Sequence, residues 1–145
     1  GKVVILDGDA STDLYAIAGT VSGTSIAFGS AVLVDTTATV IYTPDICYHA
    51  AATAMVIVYQ GASNYPQGVV ATLVGTNITI NVSAQITAAV ATQLACCYDS
   101  ALSKTVISFH ESDGKAVVAS VTGTTMARRR LADSSCSKVP PNSTQ

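Results

Sequence analysis

Short apolar runs, broken by Gly, Asp, Ser and Asn at strand-length intervals, organise this chain. The runs recur along it. Val3-Val4-Ile5, Met55-Val56-Ile57 and Thr105-Val106-Ile107 stand at spacings of 52 and 50 residues. A second marker follows each: Ala16-Ile17-Ala18-Gly19-Thr20-Val21-Ser22-Gly23-Thr24, Val69-Val70-Ala71-Thr72-Leu73-Val74-Gly75-Thr76, and Val117-Val118-Ala119-Ser120-Val121-Thr122-Gly123-Thr124. A third marker, Ile46-Cys47-Tyr48-His49, returns fifty residues later as Cys96-Cys97-Tyr98-Asp99. Self-similarity at a fixed period is the mark of a repeat architecture. The period divides the chain into repeat 1 (residues 1–49), repeat 2 (50–99), a partial repeat 3 (100–125) and a tail (126–145).

Each repeat reads as four short strands, at Lys2 to Leu6, Leu14 to Val21, Ser25 to Val34 and Thr39 to Tyr48 in the first copy. β-Branched and aromatic residues fill them. Gly23-Thr24, Gly75-Thr76 and Gly123-Thr124 fall between the second and third strands, where a tight hairpin turn needs a positive φ. The Ala-rich piece Ala84 to Ala95 lies where repeat 1 has its third and fourth strands, so it reads as strand rather than helix. The expected fold is all-β, built of tandem four-stranded antiparallel repeats like propeller blades. A β-sandwich of two four-stranded sheets, completed by strand exchange between subunits, is the alternative.

Composition narrows the function. Charged residues make up 11% and apolar residues 49%, and the net charge is −2. That leaves no broad basic field for nucleic acid. Between Ala50 and Tyr98 there is no Asp, Glu, Lys or Arg. A transmembrane helix is not expected there, because Gly61, Asn64, Pro66, Gly68, Gly75, Asn77 and Asn81 interrupt the stretch well before about 18 apolar residues accumulate. Large uncharged surfaces are instead covered, by neighbouring repeats, neighbouring subunits or attached glycans.

Four cysteines, Cys47, Cys96, Cys97 and Cys136, have no Cys-x-x-Cys spacing and are disulfide candidates. Cys47 and Cys97 hold equivalent repeat positions, so one expected bridge joins them, leaving Cys96 for Cys136; other connectivities stay open. Sequons at Asn77, Asn81 and Asn142 offer N-glycosylation sites. Disulfides and sequons together point to an extracellular or cell-surface location.

The stretches Gly1-Lys2-Val3-Val4-Ile5, Gly19-Thr20-Val21-Ser22-Gly23-Thr24-Ser25-Ile26-Ala27-Phe28-Gly29 and Cys97-Tyr98-Asp99-Ser100 carry a resemblance. The sequence resembles a tandem repeat of about fifty residues from large secreted or surface proteins of algae, protists and bacteria, whose repeats look like β-propeller blades. The resemblance covers about residues 1 to 125. It implies blade-like sheets, fewer than the roughly four to eight of a closed propeller. Copies that assemble would supply the rest.

Candidate chemistry is sparse. Asp7, Asp9, Ser11 and Asp13 place oxygens at alternate positions of one loop, where calcium is the fitting cation. The glycine and glutamate of an EF-hand loop are missing there. Histidine occurs only as His49 and His110, and no nucleophile-elbow or phosphate-loop motif is present, so no catalytic residue is assigned. Tyr65, in a loop beside Asn64 and Pro66, is a candidate sugar contact. The expected function is therefore a non-enzymatic structural or adhesive protein that self-assembles through its β repeats, with a filament as one outcome. A lectin-like carbohydrate-binding module is the alternative.

Overall fold

The computed structural model describes residues 1–8, 12–38 and 44–129. Among these the chain is all-β: twelve strands form three four-stranded antiparallel sheets, and the only helical pieces are two single-turn 3₁₀ segments. The first sheet holds β1 (Lys2–Gly8), β2 (Leu14–Ser22), β3 (Ser25–Phe28) and β4 (Val32–Asp35). Strand β2 is its centre, with β1 on one side and β3 and β4 following one another along the other. The second sheet runs β5 (Asp45–His49), β6 (Ala54–Gln60), β7 (Pro66–Val74), β8 (Asn77–Gln85). The third runs β9 (Thr92–Asp99), β10 (Lys104–His110), β11 (Gly114–Thr122), β12 (Thr125–Arg129).

Repeats and sheets share a length but differ in phase by one strand. Residues 45–49, read as the end of repeat 1, pair forward with β6, Cys47 opposite Val56. The cause is local. His49 ends β5 and its Nδ1 accepts the Ala52 N–H at 3.2 Å, capping a single turn at Ala50–Ala52 that folds the chain straight back. Asp99 does the same after β9, its carboxylate accepting the N–H groups of Ala101 and Leu102. The span Ser25 to Val34 is two strands broken near Gly29, where a Cβ would stand 2.9 Å from Thr76 of the neighbouring sheet. The span Ala84 to Ala95 is strand only at its ends, because β8 stops at Gln85 and β9 starts at Thr92. Residues 126–129, placed in the tail, form with Thr125 the fourth strand of the third sheet.

The three Gly-Thr turns join their strands with two-residue loops, closed by Ser22↔Ser25, Val74↔Asn77 and Thr122↔Thr125. Their glycines have φ of 59°, 65° and 57°, with no positive φ at the threonines. That is the type II′ pattern, whose twist matches the strands it joins.

The sheets stack face to face, three deep, rather than as a two-sheet sandwich. One core lies between the first and second sheets, from Leu14, Ala16 and Ala18 on one side to Met55, Ile57, Tyr59, Val69 and Ala71 on the other. A second lies between the second and third, where Val56 and Val58 meet Leu94, Ile107, Phe109, Val117 and Ala119. Every residue of β6 is buried, so from Ala54 to Tyr59 its sequence is continuously apolar instead of alternating. The uncharged stretch seen in the sequence is thus mainly this middle sheet, covered on both faces by neighbouring repeats.

Candidate functional site

The stacking leaves two outer faces, and they differ. Cross-strand partners share a face, which puts Val3 and Ile5 of β1, Ile17, Gly19 and Val21 of β2, Ile26 and Phe28 of β3 and Leu33 of β4 on the outer side of the first sheet. Ile5 is 42% exposed, Ile26 46%, Phe28 51% and Leu33 42%, so this face is apolar and open. Gly19 lets Ile26 and Phe28 lie low across it: a Cβ there would stand 2.6 Å from Ile26 and 3.0 Å from Phe28. Sequence reasoning passed over this face. The signal was present in β1, where Val3, Val4, Ile5 and Leu6 are apolar on both parities, the pattern of a strand made to be covered twice.

The repeat register gives the face a meaning. Ile5 pairs with Ile17, Ile57 with Val69 and Ile107 with Val117. Ile57, Val69, Ile107 and Val117 are buried against the preceding sheet, whereas Ile5 and Ile17 have no preceding sheet over them among the described residues. The outer face of the third sheet is built as the complement. Val106, Ala116 and Val118 stand there at the positions of Val4, Ala16 and Ala18, which in the first sheet pack on the following sheet. Lys104 donates to the Ser120 hydroxyl at 2.9 Å on that face, as Lys2 donates to Thr20 at 2.6 Å in the first sheet.

The edges differ too. Strands β6 and β10 each have a strand on both sides, but among the described residues β1 pairs only with β2. Its outer row of N–H and C=O groups corresponds to the rows that β5 and β9 fill in the other sheets. Open edges of this kind accept added strands. Nearby, a cleft of about 640 Å³ between the first two sheets is lined by Lys2, Val4, Ile46, Tyr48, Met55 and Leu73.

The candidate residues separate. Asp7 lies at the exposed end of β1, and Asp13 accepts a hydrogen bond from the Tyr15 hydroxyl at 3.2 Å; Asp9 and Ser11 lie outside the described residues. Among the described residues no three His, Cys, Asp or Glu side chains group to hold a metal. Asn77 is exposed where the second turn enters β8. Asn81 is committed: at the register shift between β7 and β8 its side-chain amide donates to the Val70 carbonyl at 2.9 Å. Asn142 and Cys136 lie outside the described residues. Tyr65 is half-buried in the loop before β7, whereas Tyr48, 57% exposed, stands at the cleft. His49 is buried and serves its turn, with its ring 4.7 Å from that of Tyr98.

Two polar contacts tie the sheets together. Tyr59 of the second sheet donates its hydroxyl to Asp35 of the first at 2.8 Å, and burial, reinforced by that carboxylate, pushes the phenol well above its ordinary range. Asp45 of β5 accepts the Cys96 N–H of β9 at 2.8 Å. Beside it the neighbouring Cys96 side chain lowers the pKa of Cys47, and Cys47 together with burial raises that of Cys96. Cys97 is exposed on the outer face of the third sheet. It therefore does not meet Cys47.

Among the described residues no helix is long and apolar enough to cross a membrane. Compared with family models, curated proteins and solved structures, the chain matches none.

Proposed function

We propose that this chain is a non-catalytic structural module, extracellular or at a cell surface, that associates head to tail with further copies of itself through its sheet faces. One observation carries the reading. Ile57, Val69 and Ile78 of the second sheet are buried against the first, whereas their equivalents Ile5, Ile17 and Ile26 lie, with Phe28 and Leu33, on an apolar face that no preceding sheet covers among the described residues. Soluble monomers rarely leave such a face uncovered. The third sheet offers the complementary face, so one copy's first sheet stacks on another's third sheet as its own sheets stack inside. A strand added along β1 would extend the same contact. Such a heterologous join closes into a ring or runs on as a filament. The exposed Asn77 supports the extracellular part of the reading, as does the resemblance to surface repeats.

The experiment is sedimentation velocity across a wide concentration range, with negative-stain microscopy, on the chain and on Phe28→Asp. The chain is expected to grow into rings or filaments, and the variant to stay monomeric with an unchanged β-sheet circular dichroism spectrum. A wild-type chain that is monomeric at every concentration overturns the proposal. A carbohydrate-binding reading has one observation behind it, the exposed Tyr48 ring at the cleft beside Lys2, which has the makings of a sugar-stacking platform. Saturable glycan binding lost in Tyr48→Ala would favour it.

A further inference from the structure

Strands β5 and β9 open the second and third sheets and lie against one another along their length. Alternation puts Asp45, Cys47 and His49 on the side of β5 that meets β9, and Leu94, Cys96 and Tyr98 on the side of β9 that meets β5. The contacts run in register down this seam. The Asp45 carboxylate accepts the Cys96 N–H at 2.8 Å, His49 and Tyr98 pack ring against ring at 4.7 Å, and the Tyr98 hydroxyl accepts the Ala51 N–H at 3.3 Å. Between these fixed points stand the two thiols, each half-buried and packed on the Val56, Val58 and Ile107 core. The Cys96 Sγ also lies 3.7 Å from the Val56 carbonyl, the residue that pairs with Cys47.

We propose that Cys47 and Cys96 are a disulfide-forming pair that cross-links the second sheet to the third. The geometry is arranged before the bond forms, because Asp45 holds the Cys96 backbone and the tilted His49–Tyr98 ring contact holds the strands one step further on. Cys97 is excluded by the strand's alternation, since it faces the other way.

The reaction is thiol–disulfide exchange with a low-molecular-weight disulfide, the oxidant. The Cys47 thiolate attacks one sulfur of that disulfide, its S–S bond breaks, and one small thiolate leaves with a mixed disulfide on Cys47. The Cys96 thiol loses its proton and its sulfur attacks Cys47, expelling the second small thiolate. Two protein thiols have given up two electrons and two protons, and the small disulfide has become two thiols. Cys47 goes first because the Cys96 side chain beside it lowers its pKa, and a thiolate is the attacking species. The closed loop encloses β6, β7 and β8, so the bond restricts the unfolded chain across the whole second sheet.

The inference is independent of association between copies and is tested at high dilution. The full chain is equilibrated with oxidised glutathione, alkylated under denaturing conditions, digested and mapped by mass spectrometry; a parallel sample is reduced with dithiothreitol. The expected result is one linked peptide pair carrying Cys47 and Cys96, with Cys97 alkylated. Oxidation should also raise the thermal midpoint of the wild type, and Cys96→Ala should abolish that rise. Cys47 and Cys96 both alkylated after oxidation, or Cys47 linked to Cys97 or Cys136, overturns the proposal. The mapping needs no variant, so a misfolded Cys96→Ala chain leaves the test intact.

Discussion

At the residue scale, single polar side chains clamp sheets that are otherwise held by apolar contact. Tyr59 and Asp35 are the clearest case, a phenol on the middle sheet donating to a carboxylate that also accepts from the Thr37 backbone and hydroxyl. The proton on Tyr59 is held more tightly in the folded chain than in the unfolded one, because burial and the facing carboxylate both oppose a phenolate. The sign follows from linkage. Below the ordinary tyrosine pKa of about 10 both states carry the proton and the full contribution is present; above it the unfolded chain releases the proton first, and stability falls as pH rises. Denaturant midpoints measured from pH 8 to pH 11 should therefore drop above about pH 10, and the drop should be shallower in Tyr59→Phe. Asn81 makes a second residue-scale case. Its amide donates to the Val70 carbonyl, so among the sequons in described residues Asn77 should carry any glycan, as peptide mapping after expression in a glycosylating host would show.

At the scale of the element, the turn chemistry was legible in the residues and the strand phase was not. Three Gly-Thr pairs at equivalent repeat positions announce three hairpins, since only glycine takes φ near +60° without a steric penalty. No side chain is crowded at these glycines, where an added Cβ meets nothing within 4 Å at Gly23, Gly75 or Gly123. The cost of Gly75→Ala is thus conformational alone, about 1–2 kcal/mol, and a urea titration should show it as a lower midpoint with an unchanged slope. The phase of β5 eluded a reading by period, because a repeat can be cut anywhere. What decides it is the capping at His49 and Asp99, which makes residues 45–49 and 92–99 the first strands of the sheets that follow them.

At the scale of the whole molecule, one position changes its duty with its place in the stack. Ile5, Ile57 and Ile107 are repeat equivalents, yet Ile57 and Ile107 are fully buried and Ile5 is 42% exposed. Ile57→Ala should cost about 2–5 kcal/mol, the range for emptying a packed core site. Ile5→Ala should barely move the unfolding midpoint of the monomer and should instead weaken association between copies, read as a shift of the sedimentation profile toward the single chain. A small effect on folding joined to a large effect on assembly separates a docking face from a core.

The sequence by itself determined the all-β class, the fifty-residue unit, the hairpin turns and the absence of charge from β6, β7 and β8 of the sheet that lies in the middle. Local conformational preference and the need to cover apolar surface act along the chain, so they leave their mark in composition and spacing. Only the tertiary structure decided what faces what. Residues at the same repeat position point the same way in successive sheets, as Cys47 and Cys97 do, and so cannot meet; the cysteine that faces Cys47 is Cys96, of opposite parity on its strand. The same rule turned Ile5 outward while its counterparts Ile57 and Ile107 were buried, because an end of a stack has one neighbour and a middle has two.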